Sequence, residues 1–125
     1  MEMIDKIMAA LKSEGFQPKK DDVSVTFKYQ MIDYLHIKDE DNQYLNLYIP
    51  SIFQVDDDNR MAVMQSMNSI NNLHKVVKLV LNDDQVWVCF EEKLPKDTEI
   101  DELLTFAIVI LEQATRRFFE VLKEA

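Results

Sequence analysis

The chain holds one glycine, one cysteine, three prolines and two histidines in 125 residues. Each scarcity excludes a class of function. Phosphate-cradling loops of the Walker and dinucleotide types need several glycines for close backbone approach, so a lone Gly15 rules out a standard nucleotide site. A single cysteine cannot close an intramolecular disulfide, and with only two histidines beside it too few ligands remain for a structural zinc site.

Cations are also scarce. Fourteen Lys and Arg face 23 Asp and Glu, a formal net charge of −9 with a pI near 4.6. The resulting negative field repels phosphate backbones and anionic head groups, which excludes nucleic acid and membrane surfaces as partners and leaves basic or apolar ones. Long hydrophobic runs are missing too: the longest extends from Phe106 to Leu111, far short of the roughly 18–20 residues of a membrane span. At the N-terminus, acids interrupt the apolar residues of Met1-Glu2-Met3-Ile4-Asp5-Lys6, so a secretion signal is not expected. These features predict a soluble, cytoplasmic protein.

What is present is enough to fold. With 47% hydrophobic residues and a length within the usual domain range of roughly 100–150, the chain reads as one domain over residues 1–125, without linker or repeat. Ile4, Ile7, Met8 and Leu11 share a helical stripe over residues 2 to 14, and Gly15 stops that helix as a left-handed C′ residue.

From Val23 the period changes to two, giving strands over Val23 to Tyr29, about Met31 to Lys38 and about Gln43 to Ile49, with Asp39 to Asn42 as a polar turn and Pro50 closing the third strand. A helix follows from about Asn59 to Asn71, capped by Asp58 or Asn59. Strands of about Lys75 to Leu81 and Val86 to Glu92 then form the clearest hairpin across Asn82-Asp83-Asp84-Gln85. Thr98, with Asp101 three residues on, caps a last helix over residues 99 to 124. The order α-βββ-α-ββ-α predicts an α+β fold with an antiparallel sheet of about five strands.

Two surfaces stand out. The last helix carries a core stripe through Leu104, Ile108, Leu111 and Phe118, yet Phe106, Val109, Ile110 and Phe119 lie outside it, so the helix needs a second cover, from another helix of the chain or from a second protomer, and Phe106, Val109 and Ile110 are candidates for a homodimer interface. On the strands, Tyr44 and Tyr48 point opposite to Leu45, Leu47 and Ile49, and Trp87 opposite to Val86, Val88 and Phe90; these aromatics either bind a partner or are packed by the second helix or a dimer mate. Met61 and Met64 on the second helix are flexible and polarizable enough to join such a surface, though Met61, Met64 and Met67 also suit ordinary core filling.

Catalytic constellations are thin. Cys89 sits mid-strand, where desolvation keeps it a thiol, and His36 on its strand reads as a partly exposed histidine, a base only if a carboxylate or nucleophile converges on it. His74 at a helix end reads as structural. Asp39-Glu40-Asp41 and Asp56-Asp57-Asp58 lack the spacing of a calcium loop and read as solvated turns, and Arg116-Arg117 reads as a salt-bridging pair. No metal or cofactor is expected.

Several short motifs converge on one family. Leu11-x-x-x-Gly15-Phe16-x-Pro18, a strand reaching Phe27, Asp39-Glu40-Asp41 followed by Tyr44-Leu45-x-Leu47 and Pro50, Ile70-Asn71 with Lys78 beyond, and the long closing helix resemble the YbjN-like proteins, bacterial sensory transduction regulators with the α+β fold of type III secretion chaperones. The resemblance covers nearly the whole chain in element order. It implies a small acidic homodimer that binds a polypeptide, and no catalytic residue.

The leading expectation is therefore a non-enzymatic module that holds a protein or peptide partner with Tyr44, Tyr48, Trp87, Met61 and Met64. Its rivals are a small ligand-binding domain or enzyme centred on His36, and a structural subunit of a larger assembly.

Overall fold

The computed structural model describes residues 2–41, 43–95 and 97–124. Helix α1 (Met3–Ser13) is followed by strands β1 (Lys19–Lys20), β2 (Ser24–Tyr29), β3 (Ile32–Ile37) and β4 (Tyr44–Gln54), helix α2 (Arg60–Leu73), strands β5 (Val77–Asn82) and β6 (Gln85–Lys93), and helix α3 (Asp101–Glu124). The fold is α+β, as expected, but the antiparallel sheet has six strands in the order β1-β2-β3-β4-β6-β5. The additional strand, β1, is two lysines long. Too short to show any periodicity, it was invisible to a reading based on alternation.

Gly15 behaves as its position predicts. Its φ is +90°, Gly15 N–H donates to the Lys12 carbonyl and Phe16 N–H to the Leu11 carbonyl, the paired bonds of a Schellman cap. Phe16 then leaves the helix against Phe27 and Tyr29, with ring centroids 5.4 and 5.9 Å away.

Both tight hairpins turn on left-handed residues other than glycine, Gln30-Met31 between β2 and β3 and Asp83-Asp84 between β5 and β6. The first of these was unmarked in the sequence, which reads as nearly continuous strand through Met31. Asn42, at the end of the predicted polar turn, lies outside the described residues.

Pro50 does not close the third strand. β4 runs on to Gln54, and the register against β6 slips between Ile49 and Phe53, where Ser51 has a φ of +51°. A bulge is where a strand tolerates proline, because the missing N–H has no rung to fill there.

Two capping expectations also change. Asn59 occupies the N-cap of α2 but its side-chain oxygen accepts from Asp56 N–H instead of a helical amide, and Thr98 donates its hydroxyl to the Pro95 carbonyl while α3 begins at Asp101. Local turns outcompete the caps, as short polar side chains often do.

All three helices pack on one face of the sheet. Val25, Phe27 and Tyr34 from β2 and β3, Leu47 and Ile49 from β4, and Val88 and Phe90 from β6 meet Ile7, Leu11, Ile70, Leu111 and Phe118 in one core. Tyr34 shows how tightly α3 sits on it: its buried hydroxyl donates to the Ile108 carbonyl at 3.0 Å, and desolvation raises its pKa above the usual phenol value. Among the described residues, no helix is long and apolar enough to cross a membrane.

Candidate functional site

Strand pairing decides which side chains share the other face, because directly opposed residues point the same way. One row crosses the whole sheet: Lys19, Thr26, Leu35, Tyr48, Cys89 and Lys78. Beside it, Trp87 opposes Val80, and Tyr48 meets Trp87 edge-to-face with centroids 5.9 Å apart. Among the described residues, no helix covers this face. Leu35, Tyr48, Trp87 and Val80 are half-buried, and the apolar core does not include them.

The polar groups of the face are organised around Glu91. Tyr48 Oη donates to Glu91 Oε2 at 2.9 Å, and Lys78 Nζ lies 2.8 Å from Glu91 Oε1. Lys78, with help from Tyr48, lowers the Glu91 pKa, while burial above all raises that of Tyr48. These bonds tie β4, β5 and β6 together across the exposed surface. Cys89 sits beneath them, 4% exposed, its thiol pushed up to about 11 by desolvation. Burial of the thiol is what its mid-strand position predicts.

The predicted binding residues divide into two groups. Tyr44, Tyr48 and Trp87 do share the open face, Tyr44 at its margin opposite Lys93. Met61 and Met64 are exposed on α2, which packs through Val63, Met67 and Ile70 into the core on the other side of the sheet. The second helix therefore does not cover the aromatic face. Of the three candidates for a dimer interface, Phe106 and Val109 are exposed on α3, and Ile110 is partly buried against the core.

Both edges of the sheet carry protection against strand addition, which no pattern in the sequence announces. Asn71, at the end of α2, accepts Leu79 N–H at 2.7 Å through its side-chain oxygen and donates its amide to the Leu79 carbonyl at 3.2 Å. One side chain thus occupies both outward backbone groups of Leu79 on edge strand β5. The opposite edge is β1, short and all lysine, a common protection against strand addition. The Ile70-Asn71 pair was visible as a motif, but nothing in it announces a contact eight residues downstream.

His36 is not the partly exposed histidine expected. It is fully buried, with Nδ1–H donating to the Asn46 carbonyl at 2.7 Å and Nε2 buried without a hydrogen-bond partner. Its strand position points it inward beside Val25, so the polar alternation that suggested exposure failed at this residue. Asn46 returns a bond of its own, Nδ2 to the Ile37 carbonyl at 3.3 Å, so two side chains stitch β3 to β4 here.

Burial lowers the His36 pKa below its ordinary 6.5, against weaker opposing effects of Asn46 and Asp39. Between that value and the lower folded one, the unfolded chain binds a proton that the folded chain refuses, so stability falls as pH drops through this window. Urea midpoints should decline from pH 7.5 to 5.5, and the His36→Gln variant should lose most of that slope. An unchanged slope in the variant would place the acid sensitivity elsewhere.

The remaining polar side chains of α2 and α3 make local contacts. Arg116 chelates Glu112 through Nε and Nη2 at 3.1 and 2.6 Å, and Arg117 lies 3.7 Å from Glu120, the salt-bridging read from sequence. His74 caps α2 with its backbone N–H on the Ile70 carbonyl. Among the described residues, no three His, Cys, Asp or Glu side chains gather in a way that could hold a metal ion. Comparison of the sequence with models of known protein families, and with curated proteins, finds no match.

Proposed function

We propose that this protein is a non-enzymatic, cytoplasmic polypeptide-binding module, a regulator or chaperone-like protein, whose binding surface is the open sheet face built on Tyr48 and Trp87. The observation that carries the reading is an aromatic, half-buried surface that no helix covers among the described residues. Large aromatic side chains contribute contact area at low entropic cost and dominate interface energetics, which suits them to this use. The YbjN-like resemblance points to the same class. His36, the residue on which an enzymatic reading would rest, is fully buried and points inward beside Val25.

Homodimerisation belongs to the proposal through α3, where exposed Phe106 and Val109 stand three residues apart on one side of the helix. The binding surface lies on the opposite side of the sheet, so a dimer formed through α3 leaves it free.

Affinity capture from the native cell tests the reading, with wild type compared against Tyr48→Ala and Trp87→Ala, and light scattering run beside it. The expected result is a dimer that retains defined polypeptide partners, with capture reduced about tenfold or more in either variant, the loss of one hot-spot side chain. A well-folded monomer that captures nothing overturns the proposal.

A further inference from the structure

The open face limits the shape of what can sit on it. Strand addition needs a free backbone edge, and Asn71 occupies Leu79 on one side while two lysines form the whole of β1 on the other. An occupant must therefore dock through side chains onto the face itself.

The face is apolar in the middle and cationic at its margins. From Leu35 on β3 to Val80 on β5 the apolar band crosses three inter-strand spacings, about 14 Å, enough to seat one helix of roughly 10 Å diameter. Lys19 and Lys28 flank it on the β1 and β2 side, Lys78 on the β5 side and Lys93 at one end. Against these four lysines stand Asp33, Glu91 and, at the corner, Asp39, so the face carries 4 − 3 = +1 within a chain of net charge −9. Asp33 is taken up by Lys28 at 2.7 Å and Glu91 by Lys78, while Lys19 and Lys93 have no ion-pair partner among the described residues.

From this arrangement we infer that the occupant is a single amphipathic helix of a partner protein, with an apolar stripe over Tyr48 and Trp87 and acidic side chains on its flanks that reach the marginal lysines. The inference rests on the polypeptide-binding reading above and adds to it the partner's secondary structure and sign of charge. Single-stranded nucleic acid also stacks on aromatic sheet faces, but a dense polyanion meets the field of the other −10 charges at every phosphate, whereas a peptide places a few carboxylates only where the lysines are.

Trp87 is the only tryptophan in the chain, so its emission reports occupation of the face directly. Three synthetic peptides are titrated into the full chain: a helix-forming 18-mer with a leucine stripe and glutamates on both flanks, the same stripe flanked by lysines, and an extended peptide of alternating valine and glutamate. The glutamate-flanked helix should shift Trp87 emission to the blue and bind about tenfold or more tighter than either other peptide, and 1 M salt should weaken it. In a Lys19→Glu, Lys28→Glu double variant, altered only at exposed positions, the preference should reverse toward the lysine-flanked helix.

Equal binding of both helices, tighter binding of the extended peptide, or displacement by an oligothymidine overturns the acidic-helix inference. Equal binding of the two helices still leaves polypeptide binding standing. No response of Trp87 to any peptide, together with captured partners that Trp87→Ala retains, removes both.

Discussion

Replacing Phe118 with alanine should cost about 3–5 kcal/mol of folding stability, the range for emptying a fully buried aromatic site. Phe118 is 0% exposed at the C-terminal end of the buried face of α3, with its ring 6.2 Å from Phe53 and 5.3 Å from Phe119. Phe53 belongs to the stretch of β4 just past the Pro50-Ser51 bulge, where the strand has slipped register and the ladder is weakest. The aromatic cluster therefore holds the irregular end of β4 onto α3. Neighbouring groups have little means of collapsing into the void, since β4 is anchored on its other side by β6 and the helix backbone is rigid.

A domain of this size with a total stability of roughly 5–15 kcal/mol would lose a large fraction of it, and the melting temperature should fall by about 10–20 °C. Phe119, next in sequence but 40% exposed, supplies the control: Phe119→Ala should cost at most about half as much. Chemical denaturation of both variants decides the matter. Equal losses would mean that α3 is rotated about its axis from the orientation described.

That contrast between two adjacent phenylalanines marks what could be read from the sequence and what could not. The helical period alone put Phe118 in the buried stripe with Leu104, Ile108 and Leu111 and left Phe119 outside it, and the alternation of β6 separated Val86, Val88 and Phe90 from Trp87. Periodicity is a local property, and local properties survive in one dimension. For the same reason the Schellman turn at Gly15 and the Asp83-Asp84 hairpin were legible.

What failed involved partners distant in sequence. His36 alternates with its neighbours in a way equally compatible with either face, and only the pairing of Val25 with His36 turns it inward. The aromatic residues were recognised as a set, but whether α2 would cover them depended on the side of the sheet it crossed to, which no pattern within α2 specifies. Tyr48 and Trp87 were thus identified by composition and alternation, whereas Met61 and Met64 were grouped with them without a spatial warrant. Side-chain replacements for backbone rungs, as at Asn46 and Asn71, leave no periodic trace at all.

Asn71 carries the second large effect. Converting it to leucine keeps the branched outline of the side chain and favours the helix at the end of α2, but leaves Leu79 N–H and C=O without their partner. Each backbone group stripped of its bond in a partly buried setting costs on the order of 1–3 kcal/mol unless water replaces the lost atom. Because β5 is an edge, water can reach it in part, so a net loss of about 2 kcal/mol is expected. The more telling consequence is at the level of assembly. With its strongest guard removed, β5 offers an unpaired rung to a second chain, and Val77, Leu79 and Leu81 lie on the outward-bonding side of the hairpin, in the phase set by the Asp83-Asp84 turn. Asn71→Leu should therefore form concentration-dependent β-rich oligomers in light scattering at concentrations where wild type stays at its native size, and Asn71→Gln, one methylene too long to span both groups, should show the same tendency more weakly. A variant that loses stability but stays at the native size would mean that α2 as a body, and not the single amide, shields the edge; strand addition there would then be blocked by bulk.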